Sequence, residues 1–127
     1  MSFRFIIIDD APFIRELIRN IATQVGGHCV GVAESGLGGL ELIQKALPDL
    51  AFLDLVMPEK NGLEIISDAK KIWPDLKIIA CSTLDQDSII QKAMSSGVDL
   101  YLTKPFTKEK IIQSLCDLNL SLKESTT

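Results

Sequence analysis

Short continuous apolar runs alternate along the chain with longer stretches in which apolar residues recur every three or four positions. The runs have the length of buried strands, and each periodic stretch carries one apolar face, as an amphipathic helix does. Residues 5–8 form the first run, which ends abruptly in Asp9 and Asp10. Pro12 suits the first turn of a helix with apolar positions 14, 17, 18, 21, 22 and 25, stopped by Gly26 and Gly27. Residues 28–33 read as a weaker strand, interrupted by Gly31 as an edge strand tends to be. Leu37, Leu40, Ile43 and Leu47 mark a helix closed by Pro48, and the run at 50–53 comes next and ends on Asp54. Beyond the loop marked by Pro58 and Asn61-Gly62, a helix over 62–73 presents Leu63, Ile66, Ala69 and Ile72 or Trp73 before Pro74 breaks it. A strand at 78–81 passes into Ser82-Thr83, and Ile89, Ile90, Ala93 and Met94 mark a helix stopped at Gly97. A short strand at 100–102 ends in Thr103-Lys104-Pro105, and a last helix carries Ile111, Ile112, Leu115, Leu118 and Leu122.

Strand and helix thus alternate five times, with connections that allow only parallel strands and crossover helices. The pattern predicts a flavodoxin-like, doubly wound α/β sandwich with strand order 2-1-3-4-5 and five flanking helices. The length of 127 residues fits one domain, expected over 1–122, with a frayed tail at 123–127. No apolar run approaches a membrane span and no signal peptide is legible, so a cytoplasmic protein is expected. Cys29, Cys81 and Cys116 show no metal or disulfide spacing and read as small buried hydrophobes. A net charge of −4 disfavours a direct nucleic-acid surface and favours a partner protein or a small cation.

The chemistry lies at the ends of the strands. The first ends in Asp9 and Asp10, the third in Asp54, the fourth in Ser82 and the fifth in Lys104. In a parallel sheet these emerge along one edge, and the expected order sets the first and third strands side by side. An Asp there sits half out of the core, and three carboxylates then meet in one pocket. Two unit charges about 5 Å apart repel by roughly 3 kcal/mol at an effective dielectric near 20, so either a proton or a cation belongs among them. An all-oxygen site with room for water suits Mg²⁺, with Mn²⁺ as a substitute. Ser82 and Lys104 add a hydroxyl and a positive charge suited to phosphoryl oxygens. Asp54 is the candidate nucleophile for phosphoryl transfer, which needs an in-line attacker and neutralised equatorial oxygens.

At this point the residues resemble a bacterial two-component response regulator receiver domain, of the CheY-like single-domain type, over residues 3 to about 120. The resemblance rests on Ile8-Asp9-Asp10, on Asp54 with Met57-Pro58 and Gly62, on Ser82 and Tyr101, and on Lys104-Pro105-Phe106. It implies that Asp54 takes a phosphoryl group from a sensor histidine kinase or a phosphotransfer protein. Asp10, Asp54 and the Val56 carbonyl would ligate Mg²⁺, with Asp9 acting through a metal-bound water. Lys104 would contact the phosphoryl group across a cis bond to Pro105, and Ser82 and Tyr101 would form a switch pair. The output surface for a downstream target would span 86–122, on a monomer or a phosphorylation-dependent dimer. Thr83 stands where the family has a very small residue and would also border the phosphoryl group. With apolar Val56 and Leu84 in place of polar side chains that orient water, slow self-hydrolysis is expected.

Blander readings compete with these. Asp9 and Asp10 could serve only as negative charge at a helix N-terminus, and Tyr101 could simply pack. His28 reads as an exposed strand-start residue, and the glycines at 36, 38 and 39 lack the third glycine of a dinucleotide loop. An aspartyl-phosphate hydrolase would want an acid at position 56, where Val56 stands. A flavin carrier would want a hydroxyl-rich loop where the two aspartates lie. A receiver-fold interaction module that is never phosphorylated, and a receiver excised from a larger regulator, complete the alternatives.

Overall fold

The structure, a computed structural model, describes residues 2–57 and 61–118. Within them the expected alternation holds: β1 (Phe3–Ile8), α1 (Pro12–Gln24), β2 (Gly27–Ala33), α2 (Gly36–Ala46), β3 (Leu50–Asp54), α3 (Gly62–Ile72), β4 (Lys77–Ser82), α4 (Asp87–Ser96), β5 (Leu100–Thr103) and α5 (Lys108–Asp117). The strands pair in parallel in the order β2-β1-β3-β4-β5. β3, buried at all five positions, runs down the middle of this sheet and carries Asp54 at its end.

Because strand side chains alternate between faces, β1 feeds two cores. Phe3, Phe5 and Ile7 pack with Ile18, Ile21, Ile111 and Leu115 under α1 and α5. Ile6 and Ile8 pack with Ile43, Ile65, Ile66 and Ala93 under α2, α3 and α4. Local chemistry sets the element ends. Ser35, Asn61 and Thr107 each accept a backbone N–H at the start of α2, α3 and α5, satisfying donors that the helix leaves free. Gly97, at φ 115°, closes α4 in a conformation that a side chain would strain. On edge strand β2, Cys29 pairs with Phe5 and Gly31 with Ile6, leaving Val30 as an extra residue in a bulge.

Several expectations need correction. Cys116 is exposed and Cys29 only half-buried; Cys81 alone is buried as expected. Leu37 and Met94, assigned to inward faces, are exposed, because α2 and α4 bury a narrower stripe than their periodicity suggests; of the alternatives Ile72 and Trp73, Ile72 is exposed. α3 ends at Ile72, and Trp73 packs against the core from the following turn. Gly27 belongs to β2 rather than to the stop after α1. Pro58, Leu122 and the tail at 123–127 lie outside the described residues. Among the described residues no helix is long and apolar enough to cross a membrane.

Candidate functional site

The sheet brings the predicted residues together at the carboxyl ends of its strands. One carboxylate oxygen from each of Asp9, Asp10 and Asp54 lies within 4.8 Å of the others. β1 and β3 are neighbours, and the pairing of Ile8 with Leu53 brings Asp9 level with Asp54. Lys104 reaches in from the end of β5, with Nζ 3.0 Å from Asp9 Oδ2 and 3.5 Å from Asp54 Oδ2. Its peptide bond to Pro105 is cis.

The three acids are not equivalent. Asp9 is 1% exposed and has both carboxylate oxygens engaged, Oδ1 by the Ala11 N–H at 2.9 Å and Oδ2 by Lys104. Asp54 is 6% exposed, more deeply set than the half-exposed position expected of it, and its Oδ1 accepts the Val56 N–H at 3.0 Å. Asp10 is exposed, and its carboxylate is uncommitted among the described residues. Burial raises the Asp54 carboxyl above its ordinary pKa, with the Asp9 and Asp10 charges adding to the rise; the Val56 N–H and Lys104 pull the other way without cancelling it. Burial works to lower the Lys104 pKa, but its bond to Asp9 and the charges of Asp54 and Asp9 raise it on balance. Lys104 is therefore protonated and is the one cation paired with the carboxylates of Asp9 and Asp54 among the described residues. The donor set fits a small hard cation: every available group is oxygen, Asp10 and Asp54 can offer oxygens directly, and Asp9 can be reached through water.

Ser82 ends β4 fully buried; its Oγ accepts the Leu84 N–H at 3.1 Å, and among the described residues its own O–H donates to none. The Tyr101 hydroxyl donates to the Leu84 carbonyl. The two residues expected to form a pair thus grip the same backbone residue from either side. Thr83 and Val56 are exposed at the rim. Cys81 pairs with Asp54 across the sheet, and burial holds its thiol far above the ordinary range. Sequence reasoning missed Arg15, which reaches back from α1 to donate to the Asp9 carbonyl at 2.8 Å. Only the path of the β1–α1 loop brings that contact about, and no motif marks it.

Comparison with known proteins agrees with this geometry. Residues 5–116 match the family model described as "Response regulator receiver domain". The chemotaxis protein CheY of Thermotoga maritima is 34% identical over 115 residues, covering 91% of this chain and 96% of that protein. CheY of Bacillus subtilis is 32% identical over 115 residues, with the same coverage of both chains. Among solved structures, the receiver domain of AraT from Geobacillus stearothermophilus superposes with a TM-score of 0.83 at 31% identity, covering 93% of each chain. The fold likewise matches CheY in a CheX–CheY complex of Borrelia burgdorferi, with a TM-score of 0.89 at 21% identity over 94% of this chain and 90% of that one. Three clustered carboxylates with one lysine suit such a phosphoacceptor, and the chain belongs to the response regulator receiver domain family of two-component phosphorelay signalling.

Proposed function

We propose that Asp54 is the phosphoryl acceptor and that the donor is the phosphohistidine of a sensor histidine kinase or a phosphotransfer protein, in the cytoplasm. Residues 1–122 act as the receiver in this reading. The observation that carries it is the meeting of Asp9, Asp10 and Asp54 within 4.8 Å, with Lys104 at 3.0 and 3.5 Å from two of them. Asp54 Oδ attacks phosphorus in line, the new bond is an acyl phosphate, and the P–N bond to the donor imidazole breaks, with its electron pair remaining on the ring. Asp10, Asp54 and the Val56 carbonyl would hold Mg²⁺, or Mn²⁺ in its place, and Asp9 would hold it through water. When bound, such an ion would supply positive charge toward the equatorial phosphoryl oxygens. Lys104, already protonated beside Asp54, supplies the rest, and the uncommitted Ser82 O–H donates to a phosphoryl oxygen.

Phosphorylation is read out through Leu84. The Ser82 Oγ and the Tyr101 hydroxyl both hold its backbone, so a bond from Ser82 to the phosphoryl group favours one arrangement of the loop into α4. That population shift presents α4, β5 and α5, within 86–122, to a downstream target protein. The same surface serves a monomer or a phosphorylation-dependent dimer. Val56 and Leu84 line one groove with Leu55, Met57, Leu63, Ile89 and Asn61, whose Oδ1 is taken up by the Leu63 N–H, so positions 56 and 84 themselves offer an attacking water no polar side chain to orient it. Self-hydrolysis is accordingly slow.

Acetyl phosphate with Mg²⁺ should add one phosphoryl mass to the protein, read by intact mass, and none to Asp54→Asn or in chelator. A mass gain in Asp54→Asn, or none in the wild type, would overturn the assignment. Replacing Val56 and Leu84 by Asn and Glu should shorten the lifetime of the labelled acyl phosphate. An unchanged or longer lifetime counts against the role given to positions 56 and 84.

A further inference from the structure

Among the described residues, Arg15 is the one half-buried cation near the pocket that the proposed chemistry leaves idle. Its side chain is only 16% exposed, yet its contact with an acid is weak: Nη2 lies 3.7 Å from Glu34, whose side chain is 77% exposed. Its strong bond is to backbone, from Nη1 to the Asp9 carbonyl at 2.8 Å. Asp9 is thereby fixed at every polar group. Its N–H donates to the Ala33 carbonyl at 3.0 Å, its carboxylate takes Ala11 and Lys104, and its carbonyl takes Arg15.

The Asp9 carbonyl belongs to the peptide unit that joins Asp9 to Asp10. Tilting that planar unit redirects the Asp10 Cα–Cβ bond, and no other hydrogen bond or ion pair among the described residues holds the Asp10 side chain. We infer that Arg15 is a positioning residue for the divalent-cation site, fixing the Asp9–Asp10 peptide unit so that the exposed Asp10 carboxylate points at Asp54. This rests on the reading of the three acids as that site.

Electrostatics and positioning predict opposite signs, which makes the inference testable. A guanidinium near a cation site repels the ion, so by charge alone its removal would tighten binding. If it positions Asp10, its removal loosens binding, by about tenfold or more for a group that orients metal ligands. Calorimetric titration of Mg²⁺ into the unphosphorylated protein decides between them, with metal-free melting curves as the folding control. Arg15→Met should bind Mg²⁺ about tenfold or more weakly, and Arg15→Lys, which keeps one cationic donor, should fall between it and the wild type. Glu34→Gln should stay within about twofold, as an exposed, distant partner should. Equal or tighter binding by Arg15→Met overturns the inference; should that variant be unfolded at the assay temperature, wild-type affinity in Arg15→Lys together with a loss in Glu34→Gln does so. A wild type that takes up no Mg²⁺ instead refutes the reading of the site itself.

Discussion

Aspartates stand at both ends of the sheet, and the two ends treat them differently. At the amino end, Asp99 Oδ2 accepts Lys70 Nζ at 2.9 Å and the Ile78 N–H at 2.8 Å, and Lys70 also donates to the Leu76 carbonyl. Asp49, at the same end, accepts the Arg4 N–H at 2.8 Å while its own N–H returns to the Arg4 carbonyl at 2.9 Å. Each of these acids fastens the start of a strand and has its own partner. At the carboxyl end, three acids crowd within 4.8 Å and Lys104 alone bridges two of them. The first arrangement is complete as it stands, whereas the second is short of positive charge. That shortfall, rather than the presence of acids, suits the carboxyl end to the proposed cation and phosphoryl group, while the amino end staples the fold.

The largest test of this contrast removes the lysine from each end. Lys104→Met leaves Asp9 buried and unpaired beside two like charges, and should cost about 3 kcal/mol or more in Mg²⁺-free urea unfolding. Lys70→Met strips a less buried pair and should cost about 2 kcal/mol. Magnesium then separates the two. A ligand of the native state stabilises by mass action, about 2.7 kcal/mol at a hundredfold excess over its dissociation constant. With Lys104 gone the pocket is more negative and binds the ion more tightly, so the Mg²⁺-induced gain should exceed that of the wild type. In Lys70→Met it should equal the wild-type gain. Equal gains in all three proteins would mean that the carboxyl end is not short of positive charge after all.

Legibility in the sequence differs with the physical origin of each feature. The strands and their order were legible because apolar runs and short connections are local, and a parallel sheet forces the ends of β1, β3, β4 and β5 to one edge. Asp9, Asp10, Asp54, Ser82 and Lys104 could therefore be gathered without coordinates. The depth of Asp54 was not legible, since it depends on how the loops after β1 and β3 close over the strand ends. The exposure of Leu37, Met94 and Cys116 was misjudged because periodicity gives a helix's apolar side but not how far its neighbours cover it. Arg15 and the Asp99–Lys70 pair were invisible for another reason: each joins residues whose approach only the folded path creates, 6 and 29 positions apart.

A smaller effect of opposite sign tests the charge at Asp54 itself. Burial and two neighbouring acids raise its native pKa, so the native state binds that proton more tightly than the unfolded chain does. By linkage, the ionised side chain opposes folding at neutral pH, and the penalty fades as pH falls through the raised pKa. Asp54→Asn removes the charge while keeping the shape and an oxygen for the Val56 N–H. In Mg²⁺-free buffer near pH 7 it should stabilise the protein by about 1 kcal/mol, a few degrees in melting temperature. The gain should shrink as pH falls through the raised native pKa and vanish below the ordinary carboxylate range, because the wild type then binds its own proton in both states. With saturating Mg²⁺ at pH 7 the order should reverse, since the ion binds the wild-type carboxylate and Asn offers no charge to hold it. At the other end of the sheet, Asp99→Asn should destabilise at pH 7 with or without Mg²⁺, because there the charge is already matched by Lys70. A destabilised Asp54→Asn in Mg²⁺-free buffer at pH 7 would place the two ends in the same class.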